Sequence, residues 1–156
     1  MSPRIEAKVT HAYAASPERV YDALLDPVKV RLWQKAWLAS GSPNAELLEC
    51  TIDPQVNGKF LYVDRRGTEE ARAWGSFLAL EKPRKIVHTW ITDPVEQDDP
   101  SIVTMIIEPA PDGRGSVATL YNEMDAEWAE YLPQTERAWQ LMLEAVDGVL
   151  RAEGPS

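Results

Sequence analysis

The stretch ERAWQLMLEAVDGVL, residues 136–150, narrows most what this chain can fold into. On a helical wheel Arg137, Gln140, Glu144, Asp147 and Arg151 fall on one narrow polar stripe. Leu141, Ala145, Ala138, Val149, Met142, Val146, Trp139, Leu150 and Leu143 fill the rest, an apolar arc of roughly 200° where a helix lying on one sheet needs only about 100°. A helix with that arc must be covered on more than one flank.

The rest of the chain supplies the cover. RIEAKVTHAY (4–13) alternates, with Ile5, Ala7, Val9, His11 and Tyr13 on one face, which is the pattern of a half-buried strand. SPERVYDALLDP then reads as a short helix, with Ser16 as N-cap, Pro17 at the first helical position and Asp26-Pro27 as its stop. A second short helix is expected from Pro27 to about Gln34, carrying Val30 and Trp33, with ASGSPN as loop. From Glu46 the segments ELLECTID, KFLYVD, EARAWGSFLAL, KIVHTWIT, SIVTMIIEP and SVATLYNEM are rich in β-branched and aromatic residues. The Gly, Pro, Asn and Asp between them supply turns at meander spacing, so antiparallel pairing is expected. The last helix starts after Pro133, or near Ala126, and runs to about Ala152. A curled antiparallel sheet around a long C-terminal helix, flanked by two short helices, makes the chain α+β. A straight helix fits a curved sheet imperfectly, and the space between them must be filled by side chains or by a ligand.

Charge narrows the partners. Sixteen Lys and Arg against 25 Asp and Glu give a net charge of −9, and no basic run exceeds Arg65–Arg66. Nucleic acid and anionic membrane surfaces are therefore poor partners. No apolar run approaches the roughly 20 residues of a membrane span, and the N-terminus lacks an apolar export segment, so a cytoplasmic protein is expected. The single Cys50 has no internal disulfide partner and reads as a small core residue. One Cys and two His without ligand spacing fall short of a zinc set. Neither a GxSxG nucleophile motif nor a phosphate-binding glycine loop is present, and no cofactor is implied.

Several stretches together resemble the SRPBCC superfamily and its START-like helix-grip fold: ASPERVYDALLDPVKVRLW, NGKF, GSFLALEKPRKIVHTW, SIVTMII and ERAWQLML. Within it the chain is most similar to proteins related to the C-terminal domain of the activator of the heat-shock-protein-90 ATPase. The likeness runs from about Ile5 to Leu150 and implies one helix-grip domain over residues 1–156. Two departures are visible. Asn57-Gly58 stands where relatives often have Gly-Gly, and Ala138-Trp139 where they often have Gly-Trp. The superfamily includes ligand carriers, cyclases and chaperone regulators, so the likeness alone leaves function open.

Six tryptophans in 156 residues make aromatic surface the main candidate for chemistry. They either fill the core or line a cavity. Strand parity puts Trp74, Ser76, Leu78 and Leu80 on the more apolar face of their strand, as it does Val103, Met105 and Ile107 on theirs, and Ala118, Leu120 and Met124 on the last. Ile86, His88 and Trp90 share a face, but Val87, Thr89 and Ile91 are equally apolar; the resemblance is what puts His88 and Trp90 inward.

The resulting expectation is a cavity for a small, mostly hydrophobic molecule. Trp33, Tyr62, Trp74, His88, Trp90, Met105, Trp139 and Met142 are its binding residues, and His88, Tyr62 and His11 supply polar contacts. Ala138 and Ala145 are expected against packed protein, and Trp139 and Met142 at the cavity's open end. Two alternatives stand beside this reading. One is a cyclase- or hydrolase-type enzyme using His88 or a buried carboxylate in the same cavity. The other is a chaperone-associated binding module using the acidic surface. A homodimer is also left open.

Overall fold

The computed structural model describes residues 3–42 and 44–154. Pro43, within the expected ASGSPN loop, lies outside the described residues. Strand β1 (Arg4–Tyr13) is followed by helices α1 (Pro17–Leu25) and α2 (Pro27–Gly41). Strands β2 (Glu46–Ile52), β3 (Lys59–Arg66), β4 (Glu69–Glu81), β5 (Lys85–Trp90), β6 (Ser101–Pro109) and β7 (Ser116–Asp125) come next, and helix α3 (Leu132–Glu153) closes the order. Short 3-10 turns, Pro94–Glu96 and Ala126–Tyr131, follow β5 and β7. The seven strands form one antiparallel sheet in the order β1-β7-β6-β5-β4-β3-β2. This is the curved-sheet, long-helix α+β architecture expected. Among the described residues no helix is long and apolar enough to cross a membrane.

The capping chemistry behaves as the residue types dictate. Ser16 accepts from the Arg19 backbone N–H at 3.3 Å and starts α1. Asp26 ends α1 through its own N–H and opens α2 through its side chain, which accepts from Val28 N at 2.8 Å and Lys29 N at 3.4 Å. Helix α2 runs beyond the expected Gln34 to Gly41. Its buried row Val30, Gln34 and Leu38 repeats every four residues, so packing carries the helix through Ser40 and Gly41 despite their weak local preference.

Helix α3 is held on both flanks. Tyr13 Oη donates to the Leu143 carbonyl at 2.8 Å from the sheet side, and Trp37 Nε1 donates to the Ala138 carbonyl at 3.2 Å from α2. Trp33 Nε1 in turn donates to the Ala23 carbonyl at 2.9 Å, which ties α2 to α1. The wide apolar arc is thus covered by sheet and short helices together. One member of the expected polar stripe is buried: Asp147 is 7% exposed and accepts from His11 Nε2 at 2.8 Å and Arg151 Nε at 3.1 Å. A carboxylate so far from water requires such partners.

Parity in β4 differs from expectation. Gly75 and Phe77 are the buried residues, and Leu78 is 46% exposed. Antiparallel partners share a face, so Phe60 opposite Gly75 and His88 opposite Phe77 fix the inward side. A Cβ on Gly75 would come within 2.3 Å of the Thr89 carbonyl oxygen and 2.8 Å of the Phe60 ring. Only glycine fits there, and Trp74 is consequently turned to the opposite face. A bulge between Phe77 and Ala79 then shifts the register, and Leu80 rejoins the core. The inward faces of β6 and β7 are as expected, with Val103, Met105, Ile107, Ala118, Leu120 and Met124 buried.

Candidate functional site

A cavity of about 580 Å³ opens between α2, α3 and the inward faces of β3 to β7. Register builds its wall. Phe77, His88, Val103 and Asn122 stand opposite one another along one row across β4, β5, β6 and β7, and Ile86, Met105 and Leu120 form the neighbouring row. Trp90 pairs with Ser101 one step nearer the mouth, where Ser101 Oγ donates to the Trp90 carbonyl at 2.8 Å. Leu24 and Leu25 of α1, Trp33, Gln34 and Trp37 of α2, and Ala138, Trp139 and Met142 of α3 complete the lining. The exposed rim consists of Thr92, Asp93, Trp128, Tyr131 and Gln134, with Glu96 beside them.

Aromatic rings dominate the interior and brace one another. Phe60 lies 5.2 Å from Tyr62, 5.7 Å from Phe77 and 5.1 Å edge-on from His88, measured between ring centroids. Trp90 stacks on Phe60 at 6.0 Å and meets Trp139 edge-on at 4.9 Å. Edge-on and offset contacts of this kind are the favoured aromatic geometries. The Trp139 indole N–H donates to Asn122 Oδ1 at 2.9 Å, so its polar atom is satisfied within the wall.

His88 Nδ1 lies 2.8 Å from the Thr89 carbonyl. A carbonyl can only accept, so Nδ1 carries the proton and Nε2 presents a lone pair. Burial among aromatic rings lowers the His88 pKa to about 4, the Thr89 contact opposing this only in part. At neutral pH the ring is therefore an uncharged hydrogen-bond acceptor. Burial likewise raises the Tyr62 hydroxyl well above its ordinary value and keeps it protonated.

Seven of the eight expected binding residues, Trp33, Tyr62, His88, Trp90, Met105, Trp139 and Met142, come together on this cavity. Trp74 does not. It sits on the other face of the sheet, beside Leu61, Thr51 and Arg72, and pairs with Ile91 through two 2.9 Å backbone hydrogen bonds. His11 is on the inward face of β1 as expected, but it is engaged with Asp147 rather than with the cavity. Ala138, expected against packed protein, borders the cavity beside Trp37.

Other lining residues lie outside that expected set. Gln34 is signalled once α2 is extended, because it lies four residues from both Val30 and Leu38. Asn122 shares the parity of Leu120 and Met124. Phe77 was hidden by the mixed apolar pattern of β4. Among the described residues no three His, Cys, Asp or Glu side chains gather as a metal site.

Residues 14–151 match the family described as Activator of Hsp90 ATPase homolog 1-like protein. No curated protein matches the chain. A protein of unknown function from Staphylococcus aureus has the same fold, with a TM-score of 0.80 at 17% identity over 97% of this chain and 96% of that one. A Rhodobacter sphaeroides protein gives a TM-score of 0.77 at 18% identity, covering 94% and 93% of the two chains. A Mycobacterium smegmatis protein gives 0.73 at 20% identity, covering 95% and 92%. At these identities the likeness concerns fold.

Proposed function

The chain belongs to the Activator of Hsp90 ATPase homolog 1-like protein family, and from that premise and the geometry of its cavity we propose that it binds a small, mostly hydrophobic molecule. The observation that carries the reading is the ring-lined cavity of about 580 Å³. That volume lies within the roughly 300–1,000 Å³ range of small-molecule sites. A core of the same residues serving stability alone would close such a space, because interiors pack densely and each unfilled volume weakens the fold. Trp90, Trp139, Met105, Met142 and Trp33 supply apolar surface, and Tyr62 and His88 supply orientation. At neutral pH His88 acts as an acceptor, since a group with its lowered pKa is a weak base.

Thermal unfolding of the full chain with a library of uncharged apolar compounds tests the reading. A compound at about 100 times its Kd stabilises by about 2.7 kcal/mol and raises Tm by several degrees. Unchanged melting across the library refutes the proposal. Native mass spectrometry of gently purified protein supplies a second readout, in which a retained small molecule gives a discrete added mass.

A further inference from the structure

Among the described residues, the polar groups of the cavity wall without a hydrogen-bond partner in the protein include His88 Nε2, the Tyr62 hydroxyl, the Gln34 amide and the Trp90 indole N–H. Gln34 is 4% exposed, yet among the described residues no fully enclosed side-chain nitrogen or oxygen is left unpaired, so its amide is reachable from the cavity. His88 and Tyr62 flank the same Phe60 ring, at 5.1 and 5.2 Å. Against these groups, among the described residues, neither lysine nor arginine lines the cavity. Its ionisable carboxyl groups, Asp93 and Glu96, stand near the mouth.

Resting on the reading of the cavity as a ligand site, we infer that its ligand is an uncharged amphipathic molecule whose polar end carries an O–H or N–H donor. A donor is required because His88 Nε2 can only accept, and a buried acceptor facing an apolar or acceptor-only ligand is left unsatisfied. The same lone pair opposes an anionic head. Tyr62, Gln34 and Trp90 can each donate to a carboxylate, but no lysine or arginine of the described lining compensates its burial and the acidic rim repels its approach. Fatty acids and phosphate esters are thereby selected against, and phenols, alcohols and amides are favoured.

Isothermal titration of the full chain at neutral pH with 4-octylphenol, 4-octylanisole and 4-octylbenzoate separates the possibilities, since the probes share a tail and differ only in the head. The phenol is expected to bind about tenfold more tightly than the anisole, with the benzoate weakest. His88→Phe should bring the phenol down to the affinity of the anisole, and His88→Gln, which keeps an acceptor, should retain part of the preference. If His88→Phe does not fold, the ranking in the unaltered chain and in His88→Gln still decides. A benzoate that binds as tightly as the phenol, or a phenol with no advantage over the anisole, overturns this inference and leaves the apolar cavity standing. Failure of all three probes to bind overturns the cavity reading itself.

Discussion

At His88, one backbone hydrogen bond and one ring environment determine what the side chain can do. Its Nδ1–H is committed to Thr89, and the surrounding rings hold its pKa at about 4, whereas the unfolded chain takes up that proton near 6.5. Between those values the unfolded state binds more protons, so stability rises with pH. The contribution of neutral His88 is complete above about pH 6.5 and is lost as pH falls towards 4. Urea unfolding across this window should show the advantage of the unaltered chain over His88→Gln growing with pH, by at most roughly 3 kcal/mol. A difference independent of pH would place His88 in contact with water.

Trp139 makes a second case at this scale, because it both borders the cavity and is 9% exposed, with its N–H on Asn122. Trp139→Ala should cost about 3 kcal/mol, the low end for truncating a buried Trp, since part of its surroundings is already open. Trp139→Phe should recover all but about 1–2 kcal/mol, the cost of leaving the buried Asn122 Oδ1 without its donor. Chemical denaturation of the two variants checks both values, and equal losses would show that the indole N–H, not the ring, carries the stability.

Among the elements, α2 shows how a local cap reaches the cavity. Asp26 fixes the start of the helix that carries Trp33, Gln34 and Trp37 to the lining. Asp26→Ala should cost about 1–2 kcal/mol and Asp26→Asn much less, because Asn preserves the accepting oxygen. Urea midpoints measure the difference; equal losses would show that the negative charge rather than the cap matters. The start of α2 was legible in Asp26-Pro27, but its end was not. Local preference at Ser40-Gly41 says loop, and only the buried positions of Gln34 and Leu38 reveal why the helix continues. Strand β4 departs from its expected parity for a related reason. Trp74, Phe77, Leu78 and Leu80 put apolar side chains on both faces, and the bulge breaks the alternation on which parity depends. The signal present was Gly75, a strand glycine that marks close approach of a neighbouring backbone. Strands β6 and β7 alternate cleanly, and their inward faces were legible. For His88 and Trp90 alternation gave no choice, and the family resemblance supplied it.

Over the whole molecule, the broad apolar arc of α3 and the curvature of the sheet account for the cavity, while surface charge sets what approaches it. With a net charge of −9 the chain should fail to retain DNA or RNA at about 0.15 M salt in a filter-binding assay. Saturable binding that weakens steeply with added salt would reveal a basic surface. The central claim is that the space beneath α3 admits an apolar molecule. Its most direct measurement is fluorescence titration with N-phenyl-1-naphthylamine, an uncharged probe that brightens in apolar surroundings and carries one N–H. The unaltered chain should give a saturable one-to-one enhancement. Ala138→Trp, which places a large side chain beside Trp37 in the lining, should abolish it while far-ultraviolet circular dichroism stays unchanged. No enhancement in the unaltered chain, or an enhancement that Ala138→Trp leaves intact, would contradict the claim.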